Sequence, residues 1–134
     1  MFVSKTKVRV RYSETDMMGY CYYGNYAAFF EVARVEAIRG LGFSYRQMED
    51  EGIALPVLEY NIKYYKPAFY DDELTIETTI TEVPKARIYF TYKTFNEKGD
   101  LLNEASTTLV FVNKETMKPC SAPSIIADAI ASYF

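Results

Sequence analysis

The sequence contains no histidine, and this absence excludes several kinds of active site. A Ser-His-Asp triad or a Cys-His pair needs an imidazole, and zinc sites often use histidine as a ligand. Any acid or base chemistry must therefore come from carboxylates, tyrosine, lysine or the backbone. We expect no metal site and no cofactor in this chain.

Cysteine is scarce, and long apolar runs near the start of the chain are missing. Cys21 and Cys120 lie in dissimilar surroundings and fit neither a disulfide framework nor a metal-ligand spacing, so both should be free thiols. The first 20 residues carry alternating charges, unlike the apolar core of a signal peptide or a membrane-crossing segment. On this basis we expect a cytoplasmic protein.

The composition is that of an ordinary globular domain. A chain of 134 residues with 49% hydrophobic residues can bury a sizeable core, so we expect one domain spanning residues 1–134. The net charge is −3, whereas nucleic acids and anionic membranes normally bind basic surfaces, so neither is an expected partner. The 13 tyrosines and 9 phenylalanines predict walls of half-buried aromatic side chains.

The longest helical pattern begins near Asn25. Apolar side chains recur at positions 26, 29, 30, 33 and 37, and neighbouring apolar residues widen this face. Asn25 is the expected N-cap, and Gly40 with Gly42 should end the helix after roughly 15 residues, or about 22 Å. A helix that is apolar on most of its sides must be covered, so the rest of the chain should wrap around it.

Extended segments lie on both sides of this helix in the sequence. Residues 3–12 alternate like a half-buried strand, with Val8, Val10 and Tyr12 on the apolar side. Four later extended segments are predicted at residues 53–66, 73–83, 87–95 and 101–113. A glycine-containing hairpin, residues 96–100, should connect the last two.

Two shorter helices complete the prediction. Residues 44–50 begin with Ser44 and Gln47 at capping-box spacing, and residues 123–133 place apolar side chains at helical spacing after Pro123. The order predicts an α+β fold in which a curved antiparallel sheet of about five strands wraps the long helix. Because such a sheet has edges that can pair with another chain, we expect a homo-oligomer.

Two motifs resemble those of a known family. RYSETDMMGYCYYGNYAAFFEVAR, residues 11–34, resembles the opening of the hotdog-fold acyl-CoA thioesterases of the 4-hydroxybenzoyl-CoA thioesterase and YbgC-like type. YNIKYYKPAFYDDELTI, residues 60–76, resembles the junction between the second and third strands of that family. The order of elements matches over essentially the whole chain. The resemblance implies a hotdog fold, hydrolysis of an acyl-CoA thioester, and a homodimer or homotetramer.

The resemblance also implies roles for particular residues. Asp16 falls at the position of the catalytic carboxylate, which either attacks the thioester or activates water. Tyr23 falls where a backbone N–H receives the thioester oxygen. A helix N-terminus supplies unpaired N–H groups and a partial charge of about +0.5, so it can polarise a carbonyl without histidine. Some family members have histidine at the Tyr23 position, so only the backbone donor is carried over.

Substrate-binding residues are expected at the helix entrance and on a basic patch. The entrance candidates are Gly19, Tyr22, Asn25 and Tyr26. Lys85 and Arg87 lie near where family members bind the CoA phosphates, and Lys63 and Lys66 are further basic candidates.

Other residues in these motifs are expected to be structural. Glu14 should act in a turn or in an ion pair with Arg11, and Cys21, which lacks a base partner, should be a small apolar filler. Glu31 and Arg34 have the spacing of a helix-surface pair, with contact to another protomer or to the loop as the alternative.

Two other functions stay open beside acyl-CoA hydrolysis. One is hydrolysis of a thioester on an acyl-carrier protein, and the other is a non-catalytic module that binds acyl thioesters on the same fold. Hotdog dehydratases rely on histidine, which this chain lacks. The acyl group is also open, because tyrosine and phenylalanine line aliphatic tunnels as well as aromatic pockets.

Overall fold

The structure, a computed structural model, describes residues 1–134. Its main sheet consists of five strands: Phe2–Arg9 (β1), Val57–Tyr64 (β3), Glu73–Ile80 (β4), Arg87–Phe95 (β5) and Leu101–Val110 (β6). The strands are antiparallel throughout and lie in the spatial order β1, β4, β5, β6, β3. A second sheet pairs Ile53–Ala54 (β2) with Val112–Asn113 (β7). The three α-helices are Tyr26–Gly40 (α1), Tyr45–Asp50 (α2) and Ser124–Ala131 (α3). The predicted α+β architecture with five long strands is confirmed. None of the helices has the length and apolar character that a membrane crossing requires.

Helix α1 packs on one face of the sheet. Its buried side includes Phe29, Phe30 and Ile38, which meet the inward-facing side chains of β4, β5 and β6 in a single hydrophobic core. The opposite side, with Ala28 and Val32, is exposed. The prediction that the helix is covered on most of its sides is therefore wrong for a single chain.

The ends of α1 lie where the sequence predicts them, but they are held differently. Asn25 precedes the helix in helical backbone conformation, because residues 23–25 already form a 3-10 turn. Its side chain caps nothing and instead donates to the carbonyl of Glu14 at 2.8 Å. Gly40 is the last helical residue, and Gly42, at a φ of +90°, turns the chain away.

The strands are shorter than predicted. β1 ends at Arg9, and a 3-10 turn that begins at Tyr12 leaves this ring 78% exposed rather than half-buried. The segment 53–66 is two strands, since Pro56 lies between β2 and β3 and a register shift follows at Val57. The last long segment likewise divides into β6 and β7. The hairpin, the capping box of α2 and the β5 boundaries agree with the sequence predictions.

Charged residues of alternating sign cross the outer face of the sheet in one row. Strand register places Lys5 opposite Glu77, Glu77 opposite Lys93, Lys93 opposite Glu104, and Glu104 opposite Lys63. Opposite charges at directly opposed positions stabilise a sheet by about 0.2–1 kcal/mol per pair. The register of all five strands is thus supported by surface charge as well as by the core.

Reversing the middle charge of this row should destabilise the fold. Lys93→Glu places three carboxylates side by side, so we expect the free energy of unfolding to fall by about 1 kcal/mol at low ionic strength. The loss should shrink in 1 M salt, where the screening length is about 3 Å. Urea unfolding measures both values. Lys118→Glu makes the same charge change at an exposed position outside the sheet, and an equal loss in that variant would contradict a role for the row.

Candidate active site

The loop between β1 and α1 is held in place by Glu14. Its buried carboxylate accepts the backbone N–H of Arg11 at 2.7 Å and the guanidinium of Arg11 at 3.1 Å, so the predicted ion pair is confirmed. The backbone carbonyl of Glu14 accepts the N–H of Tyr22 and the side-chain amide of Asn25, both at 2.8 Å. One residue therefore ties the end of β1 to the entrance of α1.

Asp16 lies in a tight turn that follows. Its carboxylate Oδ1 accepts the N–H of Met18 at 2.9 Å, and its carbonyl accepts the N–H of Gly19 at 3.0 Å. Gly19 has a φ of +85°, a conformation that favours glycine. The turn therefore orients the carboxylate through one oxygen and leaves the second oxygen without a protein partner.

The entrance of α1 carries two backbone N–H groups without an acceptor in the protein. Asn25 donates to the carbonyl of Tyr22 at 3.0 Å, and Tyr26 donates to Tyr23, whereas Tyr23 and Gly24 donate to nothing. A side chain at Gly24 would meet the ring of Tyr22 at 2.6 Å, so glycine allows Tyr22 to pack here against Tyr23. These are the unpaired donors expected at a helix start.

A pocket of about 540 Å³ brings Asp16 and Tyr23 together. Half of its 10 lining residues are tyrosines, and the lining includes Tyr20, Cys21, Tyr26, Tyr64 and Lys66. The hydroxyl of Tyr64 makes a long hydrogen bond, 3.5 Å, to the carbonyl of Tyr23. The polar groups of this pocket include a carboxylate, the free N–H of Tyr23, one lysine and tyrosine hydroxyls, and the free N–H of Gly24 follows next in the chain.

Cys21 lies in the pocket wall, but its thiol is not activated as a nucleophile. Burial, together with the nearby carboxylates of Glu14 and Asp16, raises its pKa to about 11. Burial also raises the pKa of Tyr26. Both groups therefore stay neutral at neutral pH, which agrees with the expected role of Cys21 as a filler.

The remaining predicted binding residues are only partly brought together. Tyr26 lines the pocket, whereas Gly19 and Tyr22 are only sequence neighbours of residues that line it. The side-chain amide of Asn25 donates to the carbonyl of Glu14 instead of facing a ligand. Lys85 and Arg87 lie elsewhere. The pocket residue Tyr64 is level with Thr94 near the end of β5, whereas Arg87 begins that strand about 23 Å away.

The pocket residue Tyr64 was not among the predicted site residues, whereas Lys66, one of the predicted basic candidates, does line the pocket. Both follow the loop by more than 40 positions, and a backbone hydrogen bond from Cys21 to Ala68 (2.8 Å) draws their segment to the site. The two tyrosines between two lysines in KYYK, residues 63–66, are the sequence signal for this segment. This segment predicts basic and aromatic side chains at the end of a strand, but it does not predict which loop that strand end contacts.

The Glu14 interaction should make stability depend on pH. Burial alone opposes the charge of Glu14, but the hydrogen bonds and charge of Arg11 outweigh burial and hold the pKa of Glu14 below its usual value. A carboxyl with a lowered folded-state pKa stabilises the fold above its unfolded pKa, about 4.3, and loses this effect as pH falls through the folded-state pKa. Glu14→Gln should therefore lower Tm by a few degrees at pH 7 and by progressively less below about pH 4.

Thermal unfolding followed by circular dichroism between pH 3 and pH 8 measures this difference. Glu82→Gln removes an exposed carboxylate that makes no hydrogen bond, and it should follow the parent protein throughout. A Tm difference between the parent and Glu14→Gln that stays constant over the whole range would contradict the role given to this carboxylate.

Comparisons with known proteins identify the family of this chain. Residues 10–130 match the model of the thioesterase-like superfamily. The acyl-CoA thioester hydrolase YbgC of Escherichia coli is 40% identical over 90% of this chain and 91% of its own, and the acyl-CoA thioesterase YbgC of Haemophilus influenzae is 34% identical over 91% and 90%. The crystal structure of a DHNA-CoA thioesterase from Staphylococcus aureus superposes with a TM-score of 0.91 at 41% identity, covering 99% of this chain and 89% of that one. Since the match extends over almost the whole sequence and the whole hotdog fold, the chain belongs to the thioesterase-like superfamily and, within it, to the hotdog-fold acyl-CoA thioesterases.

Proposed function

We propose that this protein hydrolyses acyl-CoA thioesters, with Asp16 as nucleophile or general base and the N–H of Tyr23 as the oxyanion donor. The observation that carries the proposal is that Asp16 and Tyr23, whose N–H is unpaired, line one pocket, with the unpaired N–H of Gly24 next in the chain. The first supplies the group that attacks or activates water, and the second supplies donors for the developing negative charge.

The reaction needs no histidine. The thioester oxygen binds at the start of α1, where the N–H groups and the partial positive charge of the helix stabilise the tetrahedral intermediate. By the general-base route, Asp16 takes a proton from water, the hydroxide adds to the carbonyl carbon, and the C–S bond breaks as the proton passes to the leaving thiolate. By the nucleophilic route, the Asp16 carboxylate adds to the carbonyl carbon and expels the CoA thiolate, and water then opens the resulting anhydride to release the acid, return the Asp16 carboxylate and supply the proton that the thiolate takes up. The products are the free acid and CoA in either case.

Basic side chains supply the expected contacts to the CoA phosphates. Lys66 lies in the pocket wall and has a loose ion pair with Asp100 at 3.6 Å, so it can reach a phosphate at the pocket mouth. Lys85 and Arg87 lie too far from this pocket to bind the same CoA from within one chain. We keep them as candidates only for a CoA that spans two protomers.

We further propose that two copies pair through β3. The two edges of the sheet differ in chemistry: β1 presents Lys5, Lys7 and Arg9, whereas β3 presents Val57 at 48% and Leu58 at 54% exposure. Charged edges resist pairing with another chain, and apolar edges favour it. Pairing of β3 with β3 of a second copy would also bring the exposed side of α1 towards that copy, and would give a closed homodimer. A homotetramer is the alternative.

Replacing the proposed catalytic carboxylate should separate catalysis from binding. Asp16→Asn keeps an oxygen that can accept the N–H of Met18, so the turn should persist while the negative charge is lost. We expect kcat to fall by about 10²-fold or more with substrate binding retained. Thiol release from a panel of acyl-CoAs measures turnover, and calorimetric titration with an acyl-CoA measures binding.

The exposed Asp50→Asn on α2 is the matched control and should keep full turnover. Near-parental turnover by Asp16→Asn would rule out Asp16 as the reacting group. Saturable acyl-CoA binding by the parent protein without any thiol release would favour the non-catalytic module instead. Faster release from acyl-carrier-protein substrates than from CoA would favour the carrier-protein alternative.

A charge introduced on the β3 edge should disrupt assembly. Leu58→Lys places a cation in the proposed interface, so we expect a shift from dimer to monomer in sedimentation or in light scattering coupled to size exclusion. Val3→Lys makes the same kind of change on the exposed β1 edge and should remain dimeric. A parent protein that is monomeric at micromolar concentration, or a dimer that survives Leu58→Lys, would exclude pairing through β3.

A further inference from the structure

Arg34 is a buried cation without an anion. It lies on α1, its surface is only 7% exposed, and its side chain forms no ion pair with any carboxylate of the chain. Its Nε is fully buried and has no acceptor. The helix-surface pair with Glu31 does not form, because Arg34 turns inward while Glu31 remains exposed. Arginine keeps its charge when buried, and an unpaired buried charge is strongly unfavourable, so this arrangement is incomplete.

The groups that Arg34 contacts most closely are neutral hydroxyls, while the exposed carboxylate of Glu31 lines the same cavity and forms no ion pair with Arg34. Arg34 lies beside the hydroxyls of Tyr45 and Tyr92, and the Tyr92 hydroxyl is hydrogen-bonded to that of Thr107 at 2.6 Å. The Tyr45 hydroxyl is buried without a hydrogen-bond partner. Burial raises the pKa of Tyr45 to about 12 against the opposing charge of Arg34, so this hydroxyl stays protonated at neutral pH. Arg34 and Tyr45 together offer hydrogen-bond donors and no negative charge.

A second cavity, of about 460 Å³, leads from the helix entrance to Arg34. It begins at Gly24, whose N–H is one of the two free donors beside the proposed reaction centre. Ala27, Ala28 and Phe30 lie on its helix side, and Val57 and Tyr60 of β3 are among its other walls. Small residues on the helix leave room for a chain, and the charged side chains in the lining are the exposed Glu31 and the buried Arg34.

The length of this cavity limits what can reach Arg34. Ten residues separate Gly24 from Arg34, which is about 15 Å along a helix axis. A helical side chain leans towards the N-terminus by about one turn, so the guanidinium lies about 10 Å from the level of Gly24. A straight chain of about six to eight carbons covers that distance. A carboxylate is the group that a guanidinium binds best, because the two are matched in charge and in planar geometry.

We propose, on the premise that the protein hydrolyses acyl-CoA thioesters as set out above, that the acyl group enters this cavity and that Arg34 binds a carboxylate at its far end. The preferred substrates are then CoA monothioesters of dicarboxylic acids of about six to eight carbons. Arg34 determines specificity and takes no part in the bond-breaking step. Where two copies pair through β3, the second copy closes the open side of the cavity, because Val57 and Tyr60 belong both to β3 and to the cavity wall.

Matched substrate pairs test this specificity. Adipoyl-CoA and hexanoyl-CoA have the same number of carbons and differ in the terminal carboxylate, as do suberoyl-CoA and octanoyl-CoA. We expect the parent enzyme to favour the dicarboxylic member of at least one pair by tenfold or more in kcat/KM. Arg34→Met, which is apolar and of similar length, should reduce that ratio by about 10- to 100-fold. Both substrates of a pair are measured on one preparation, so that partial unfolding cancels from the ratio.

Arg39→Met is the matched control, since it removes an exposed arginine from the same helix and should leave the ratio unchanged. A measurement on the parent alone avoids any folding defect of Arg34→Met: free adipate should inhibit more strongly than hexanoate. Equal kcat/KM within both pairs, or a ratio that survives Arg34→Met, would overturn the proposal. So would an Arg34→Met variant that changes only the oligomeric state, because the anion for Arg34 would then come from a second copy.

Binding measurements separate this proposal from the proposed function. Calorimetric titration of the parent with each substrate pair gives an affinity ratio that does not depend on turnover. Tighter binding of the dicarboxylic thioesters without thiol release would refute the hydrolase and support the carboxylate site. Hydrolysis of the plain acyl-CoAs with no dicarboxylic preference would support the hydrolase and refute the carboxylate site.

Discussion

The hydrogen bonds of Glu14 fix the start of α1 against the end of β1, and the geometry of the candidate site depends on them. The Glu14 carbonyl engages the N–H of Tyr22 and the side chain of Asn25, while the carboxylate is held by Arg11. The next two N–H groups, those of Tyr23 and Gly24, then have no internal partner. Both residues are exposed, so a ligand oxygen can reach these two donors and accept them.

The incomplete covering of α1 links proposed assembly to proposed specificity. The side of the helix that the sheet does not cover carries Ala27 and Ala28, which also line the cavity leading to Arg34. Val57 and Tyr60, which also line that cavity, belong to β3, the less charged edge of the sheet. Pairing of two copies there would bury an exposed edge and enclose an acyl group by the same contact. Small residues on this side of the helix fit that arrangement better than bulky ones, which would fill the cavity.

Local patterns in the sequence predict much of the fold and less of the site. The 15 residues of α1, the capping box of α2 and the bounds of β5 follow from spacing alone, because each depends on neighbours in the chain. The exposure of Tyr12 and the break at Pro56 depend on contacts with residues that are distant in the sequence, so the local spacing of apolar residues does not predict them. Asp16 and Tyr23 became candidates through family resemblance. Arg34 lies four residues after Phe30 and so on the buried face, but its charge made it look like a surface residue.

The overall charge of the protein constrains how it can recognise an anionic ligand. With a net charge of −3 it offers no long-range attraction to CoA or to a dicarboxylic acyl group, so selectivity must come from short contacts at defined depths. Lys66 lies in the pocket wall, the N–H groups of Tyr23 and Gly24 lie at the helix entrance, and Arg34 lines the second cavity. In the proposed binding mode these groups contact, in order, a phosphate, a thioester oxygen and a terminal carboxylate. Arg34 is only 7% exposed, so added salt should weaken recognition by Lys66 far more than recognition by Arg34.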